Sequence, residues 1–363
     1  MRIGVVTVSR SVHTRVFVEY LVDAGHEVTV ITNRDRFEVD GVRTINVRPF
    51  KGRRFKLSDR TLLGIRDRRI GRVLERERFD VVNVQMLMSD GVAATLLSPS
   101  PVVLTLYGSD VYHRDRLPDD YLRRLPEALQ RAHTIHACSE HMAEELVRVG
   151  APAEHIVTFQ YGIDPQRFVP LAEADRAPRI ISSRQLKPLY RVHLAVEAMP
   201  AVLDRFPDAR LVIYDRGPEE PRLREAVARL GIGDAVEFPG FLPPESLAED
   251  LGHSAVWVSI AESDGTPISL LEAMAAGAFP VVADIPTLHE WLSPDTAAFV
   301  GDPTPETLAH ALIGALERAR TGKHIEPNRR AVTERADRTA NLARFERLLQ
   351  NAAVGRSSWG LLV

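Results

Sequence analysis

The stretch Ser263–Asp284, SDGTPISLLEAMAAGAFPVVAD, decides how the chain is read. It reads as a loop, a helix, a glycine stop and a strand. Thr266 is suited to cap the helix and Pro267 to be its first residue, where a missing N–H is harmless. Gly277 ends the helix and Pro280 lies just beyond. Between Pro267 and Ala276 the one charged residue is Glu272. A helix apolar on nearly all sides is buried. The apolar run FPVVAD (279–284) fits a strand covered on both faces. A buried helix feeding a buried strand is one repeat of a parallel α/β sheet.

The same alternation extends outward. In the C-terminal half, RIISSR (179–184) leads into a helix over about 192–205, and ARLVIYD (209–215), AVEFPG (235–240) and AVWVSIA (255–261) are further strands. In the N-terminal half, RIGVVTV (2–8) precedes a helix carrying Val16, Tyr20, Leu21 and Ala24 and ended by Gly25. The strands EVTVIT (27–32), FDVVNVQ (79–85), PVVLTLYG (101–108) and HTIHACS (133–139) follow. The segment YGIDPQRFVPLAEADRAP (161–178), rich in proline and charge, reads as a linker. The chain of 363 residues is also longer than one core of ~250–300 residues. The expectation is therefore two Rossmann-like α/β domains, 1–168 and 169–334, then a final segment 335–363 with a helix near Arg335–Asn351. Ligands of open α/β sheets bind beyond the carboxyl ends of the strands. Residues just after strands, facing a cleft between the domains, are the candidates.

Composition is that of a soluble globular protein, 45% hydrophobic and 26% charged. The single cysteine, Cys138, excludes an internal disulfide framework. The N-terminus opens directly into a strand, and no apolar run is long enough for a leader or a membrane span. The expected location is cytoplasmic, with peripheral contact on the inner membrane face as an option. The net charge of −3 conceals a basic segment: Arg48 to Arg72 holds ten Lys/Arg against Asp59 and Asp67. A nucleic-acid binder carries a more general basic excess. A local patch suits an anionic membrane surface or substrate. RTLLGIRDRRIGRVL (60–74) is either an interfacial helix built on Leu63, Ile70, Val73 and Leu74, or a surface helix whose apolar stripe faces the core.

The opening stretch then raises a chemical question. An ionised carboxylate in a buried helix needs partners, because an unpaired buried charge is costly. Ligand hydroxyls are one answer for Glu272; an internal arginine is the other. The N–H groups at the helix start, from Thr266 to Ser269, form an anion site. Asp264 precedes it. A phosphate-binding helix end between two hydroxyl-binding carboxylates suits a sugar joined through a diphosphate to a ribose. Two other chemistries lack their signals. VTVSRSVHTR after the first strand has no glycine, unlike a dinucleotide-binding turn. No Asp-x-Asp pair is present. His133, His136, Cys138 and His141 invite a zinc reading, but strand alternation parts His133 from His136, and structural histidines are the better account.

SDGTPISLLEAMAAGAFPVVADIPTLHEW (263–291) resembles the E-x7-E region of the family 4 glycosyltransferases, which have the two-domain GT-B fold. GHEVTVIT (25–32), VVLTLYGSDV (102–111), CSEHMAEELVRVGAPAEHIVTFQYGIDPQRF (138–168), RFPDARLVIYDRGP (205–218) and VEFPGFLPPESLAEDL (236–251) are similar to family segments in the same order. The resemblance implies a retaining, metal-independent transfer from a nucleotide sugar to a sugar, lipid-linked or small-molecule acceptor, with no cofactor and no nucleic-acid partner. It implies that Asp264 contacts the donor sugar and Glu272 the ribose, with Gly265, Thr266, Pro267 and Ile268 around the phosphates. Asp stands where Glu is usual at 264. Arg184 matches the arginine that neutralises the diphosphate, whereas Leu189 replaces the usual lysine, leaving Lys187 and Arg191 as substitutes. Gly240 and Phe241 match the segment that holds the base by main-chain atoms. Tyr107 stands where the family often has histidine near the sugar. Asp110 either faces the acceptor or caps its helix. Among Ser9, Ser11 and His13 in the first loop, His13 either contacts the acceptor or starts a helix. The resemblance also implies that the last helix crosses back onto the N-terminal domain. The alternatives are a sugar-nucleotide-binding protein without turnover, or a sugar-phosphate phosphorylase or epimerase on the same fold.

Overall fold

The computed structural model describes residues 1–7, 12–34, 37–49, 59–171 and 177–355. They form two compact units, Met1–Phe159 with the chain from Ala340 onward, and Gln160–Thr339. The first ends short of the expected residue 168 because Ile163 and Phe168 are buried in the apolar core of the second. The expected linker is thus partly core.

In the first unit, seven strands lie in the order β3-β2-β1-β4-β5-β6-β7: β1 Arg2–Thr7, β2 Glu27–Thr32, β3 Arg43–Asn46, β4 Val81–Gln85, β5 Val102–Thr105, β6 Thr134–Ala137 and β7 Ile156–Thr158. All pairings are parallel. Crossover helices include α1 (Val12–Asp23), α2 (Asp59–Glu77) and α3 (Ser89–Leu97). The short α4 (Ser109–Tyr112) follows β5, and α5 (Asp119–Arg131) and α6 (Glu140–Arg148) flank β6.

The second unit has six parallel strands in the order β10-β9-β8-β11-β12-β13. They are β8 Ala177–Ser182, β9 Arg210–Tyr214, β10 Val236–Gly240, β11 Ser254–Ser259, β12 Phe279–Ala283 and β13 Ala298–Val300. The helices are α7 (Val192–Arg205), α8 (Glu220–Leu230), α9 (Pro244–Gly252), α10 (Ile268–Ala276), α11 (Pro286–His289), α12 (Pro305–Ala319) and α13 (Ile325–Arg335). One apolar cluster packs α7 and α12 on one face of the sheet; another packs α10 and α13 on the other. Covering both faces is what a parallel sheet requires.

The last described helix, α14 (Arg338–Ala353), begins three residues later than Arg335. From Ala340 it belongs to the first unit, where Phe345 is fully buried and its ring lies 4.5 Å from that of Phe17. Glu346 accepts hydrogen bonds there from Tyr20 Oη at 2.9 Å and His26 Nε2 at 3.0 Å.

The amphipathic stripe of α2 faces the core. Ile70 and Leu74 are fully buried and Leu63 and Val73 pack against them. Arg66 is buried too, paired with Asp67 at 2.7 Å and with Asp90, and donating to Tyr121 Oη at 3.0 Å. The apolar residues are therefore not available as a membrane-inserting face, and Arg66 is not part of a basic surface. No helix among the described residues is long and apolar enough to cross a membrane.

Candidate active site

The carboxyl ends of β8 and β11 are neighbours in the second sheet, and the loops after them meet. Arg184, just after β8, is 7% exposed. Its Nη1 donates to Ser269 Oγ at 2.9 Å, and its Nη2 is ion-paired with Asp264. The ring of Tyr190 lies 4.2 Å from the guanidinium carbon. Asp264 follows β11, and its carbonyl accepts from Thr287 Oγ1 at 3.1 Å. Arg184, Asp264 and the first turn of α10 thus form one constellation drawn from two distant parts of the chain. Burial is the first cause of the raised phenol pKa of Tyr190; the Arg184 charge opposes it. Tyr190 and the Ser269 hydroxyl, as distinct from its N–H, were not singled out from sequence. A tyrosine in SSRQLKPLYRV carries no pattern that announces a guanidinium above its ring.

The cap of α10 differs from expectation by one residue. Pro267 is the N-cap, at φ −66° and ψ 127°, and its carbonyl accepts from Leu270 N at 3.1 Å. Thr266 is buried and otherwise used: its Oγ1 accepts from Trp291 Nε1 at 3.1 Å, and its carbonyl accepts from Gln160 Nε2 at 2.7 Å. Proline's fixed φ fits the extended cap position. The N–H groups of Ile268 and Ser269, in the first turn, have no acceptor within the helix. Gly265 is buried beside them and Ile268 packs partly into the core.

Glu272 lies one turn further along α10 and is half-buried. No hydrogen bond or ion pair reaches it among the described residues. Its carboxyl pKa is pushed up to about 7, because burial disfavours the charge more than Arg338 and Arg167 favour it. The internal-arginine account of Glu272 is therefore only a distant attraction. Arg338 itself is held at Gly162, whose carbonyl accepts from its Nε at 3.1 Å.

The two substitutes for the absent lysine part company. Arg191 sits in the left-handed region, φ 46°, and its Nε donates to the Ile260 carbonyl at 2.8 Å, so its side chain braces the loop. Lys187 is exposed, and among the described residues its side chain forms no ion pair. Gly240, at φ 79°, ends β10, and Phe241 after it is exposed.

In the first unit, His13 and Tyr107 come together, their rings stacked 5.3 Å apart. Tyr107 Oη donates to Gln85 Oε1 at 3.0 Å, and Gln85 Nε2 donates to Asn83 Oδ1 at 2.9 Å. Asn83 and Gln85 of this ladder were missed from sequence because each sits inside the apolar strand β4. Asp110 is buried, and its carboxylate accepts from the N–H groups of Leu87, Gly108 and Tyr107 at 3.0–3.2 Å. Burial raises its pKa and those hydrogen bonds oppose the rise. Its carboxylate is spent on loop structure. His13 lies in the first turn of α1. Ser9 and Ser11 lie outside the described residues, as do residues 50–58 of the basic segment.

His136 is packed among Phe17, Phe159 and Phe345, with Nε2 donating to the Phe159 carbonyl at 2.8 Å, and burial lowers its pKa to about 4. Among the described residues, no group of three or more His, Cys, Asp or Glu side chains is placed to hold a metal ion.

Residues 164–335 match the family described as glycosyl transferases group 1, and residues 11–167 match Glycosyltransferase Family 4. The amylovoran biosynthesis glycosyltransferase AmsK of Erwinia amylovora is 29% identical over 210 residues, covering 53% of this chain and 51% of AmsK. The chain spans about half the length of the curated relatives it matches first. Among solved structures, sucrose-phosphate synthase from Thermosynechococcus elongatus superposes with a TM-score of 0.79 at 17% identity, covering 98% of this chain and 100% of that one. HepE of Anabaena, in complex with UDP and glucose, does so with a TM-score of 0.77 at 15% identity, covering 97% and 100%. With two all-parallel sheets, these likenesses show the GT-B fold.

Proposed function

The chain belongs to the family 4 glycosyltransferases, and from that premise we propose that it transfers a sugar from a nucleoside-diphosphate sugar to an acceptor hydroxyl, with retention of anomeric configuration and without a metal. The observation that carries this reading is the constellation at the start of α10: buried Arg184 against Ser269 and Asp264, with unpartnered Glu272 on the same helix. The N–H groups of Ile268 and Ser269 and the planar fork of Arg184 match a diphosphate. Glu272, once ionised, accepts from ribose hydroxyls. Asp264 accepts from the hydroxyls of the donor sugar.

Arg184 and Asp264 neutralise each other while no donor is bound. On this reading the donor divides them: its diphosphate takes the Arg184 Nη2 that Asp264 holds, and the carboxylate turns to the sugar. In the transition state the C–O bond to the diphosphate lengthens and negative charge grows on the leaving phosphate. Arg184 and the helix start, already in place, stabilise that charge. The leaving diphosphate then accepts the proton of the incoming hydroxyl, on the same face that it leaves. Within the first unit, His13 and Tyr107 offer a stacked ring pair and a hydroxyl suited to a sugar, and the Gln85 hydrogen bond fixes the direction of the tyrosine hydroxyl.

The named relatives support this class. AmsK acts in amylovoran biosynthesis and HepE binds UDP and glucose. Polysaccharide or glycolipid synthesis is the proposed setting; the likeness carries the class of donor and not its base. Contact with an anionic membrane, for a lipid-linked acceptor, would use exposed arginines of α2 such as Arg68 and Arg72 and not its apolar stripe, which is in the core. Calorimetry with a bare nucleoside diphosphate tests the site. Glu272→Ala should weaken binding about tenfold or more, the loss of hydrogen bonds to a charged group. Equal affinity in the two proteins would remove the ribose assignment.

A further inference from the structure

One edge of the second sheet carries features that the transfer chemistry leaves unused. Asp215, immediately after β9, holds φ 70° without being glycine. Its Oδ1 accepts from Arg216 N at 2.7 Å, and its own N–H donates to the Gly240 carbonyl at 3.0 Å. The turn after β9 is thereby tied to the end of β10. At Gly240, an added Cβ would stand 3.4 Å from Arg216 Nε and 3.6 Å from its Nη2. Those are ordinary van der Waals distances, so the guanidinium packs beside Gly240, and it is φ 79° that calls for glycine there. Phe241 follows, 64% exposed, the one aromatic among the large exposed apolar residues described.

The position of this edge fits one part of a nucleotide. In the order β10-β9-β8-β11, Gly240 at the end of β10 lies two strands from β8, just beyond which stands Arg184. At the usual strand spacing that is roughly 10 Å. Such a span separates a diphosphate from the base at the far side of its ribose.

We propose that Arg216 is a specificity-determining residue: beside Gly240 and Phe241 its guanidinium reads the base of the donor nucleotide and selects guanine. This rests on the reading of the chain as a nucleoside-diphosphate-sugar enzyme. Arginine presents two parallel N–H donors. Guanine alone among the four bases offers two adjacent acceptors, O6 and N7, on one edge. Adenine replaces O6 with an amine donor, cytosine offers a donor, and uracil offers the single acceptor O4. The side chain missing at Gly240 leaves the guanidinium edge open, and Phe241 supplies an apolar face for the ring.

The test is calorimetry of the full chain with GDP, UDP, ADP and CDP at one salt concentration, for wild type, Arg216→Ala and Arg216→Gln. Wild type should bind GDP about tenfold or more tighter than the other three. Arg216→Ala should lose that margin while UDP affinity stays nearly constant. Arg216→Gln should favour ADP over GDP, because an amide pairs with the N6 and N7 edge of adenine. Equal binding of GDP and UDP by wild type overturns the proposal. So does a uniform loss across all four ligands in Arg216→Ala, which would mark a phosphate contact or a stack. If folded wild type binds none of the four, the nucleotide reading itself fails, a result distinct from binding without preference.

Discussion

Glu272 carries opposite demands in the free and the liganded protein. Its folded pKa, about 7, stands above the ordinary 4.5. The fold therefore favours the protonated form. The stabilising contribution is complete below pH 4.5 and is lost as pH rises through about 7. Glu272→Gln should consequently be more stable than wild type at pH 8, by an amount on the order of 1–3 kcal/mol, and equal to it near pH 4.5 in denaturant titrations. A nucleotide that needs the ionised carboxylate reverses the preference. Wild-type affinity should rise between pH 6 and 8 while that of Glu272→Gln stays flat. Arg184→Ala should lower kcat by roughly 10²–10³, the scale of one preorganised charge-stabilising donor; turnover equal to wild type would end its role. Sequence groups Asp264 and Glu272 as candidates, since both fall within one local segment. It could not pair Arg184 with Asp264, because that contact closes over 80 residues of chain. Nor could it move the cap from Thr266 to Pro267, since Trp291, which engages the threonine, lies beyond the helix.

At the scale of elements, the long buried strands were legible because both faces are covered and the residues are apolar throughout. Of the four edge strands, β10 was legible but β3, β7 and β13 were not. RTIN, IVT and AFV are only three or four residues long, too short to show a pattern, and each has a neighbour on one side only. Helix α2 shows the limit of periodicity: its stripe fits a membrane face and a core face equally, and only packing decides for the core. Arg66 is the clearest consequence. It reads as one more charge in a basic run, yet it is enclosed by Asp67, Asp90, Ser89 and Tyr121. Asp90 has a raised pKa because burial outweighs the Arg66 charge. Arg66→Ala strands those carboxylates and should cost roughly 3–5 kcal/mol in urea unfolding. A cost under 1 kcal/mol would mean that water reaches the network.

For the whole molecule, α14 is part of the first unit although it follows the second in sequence. Phe345 fills a buried position beside Phe17 and His136, and Glu346 bonds Tyr20 and His26. A chain ending at Thr339 opens that core, and truncating a buried phenylalanine alone costs about 3–5 kcal/mol. Its calorimetric melt should show a lowered transition, with a second one retained for Gln160–Thr339. An unchanged melt would place α14 outside the stability of the first unit. Turnover is tested by nucleoside diphosphate release from a panel of nucleotide sugars in EDTA, with an acceptor panel and the product anomer read by NMR. The account predicts release from one donor, undiminished by EDTA, with the donor's anomeric configuration kept in the product. Release abolished by EDTA, an inverted product, or no release from any donor by a folded protein that binds the nucleotide would contradict it.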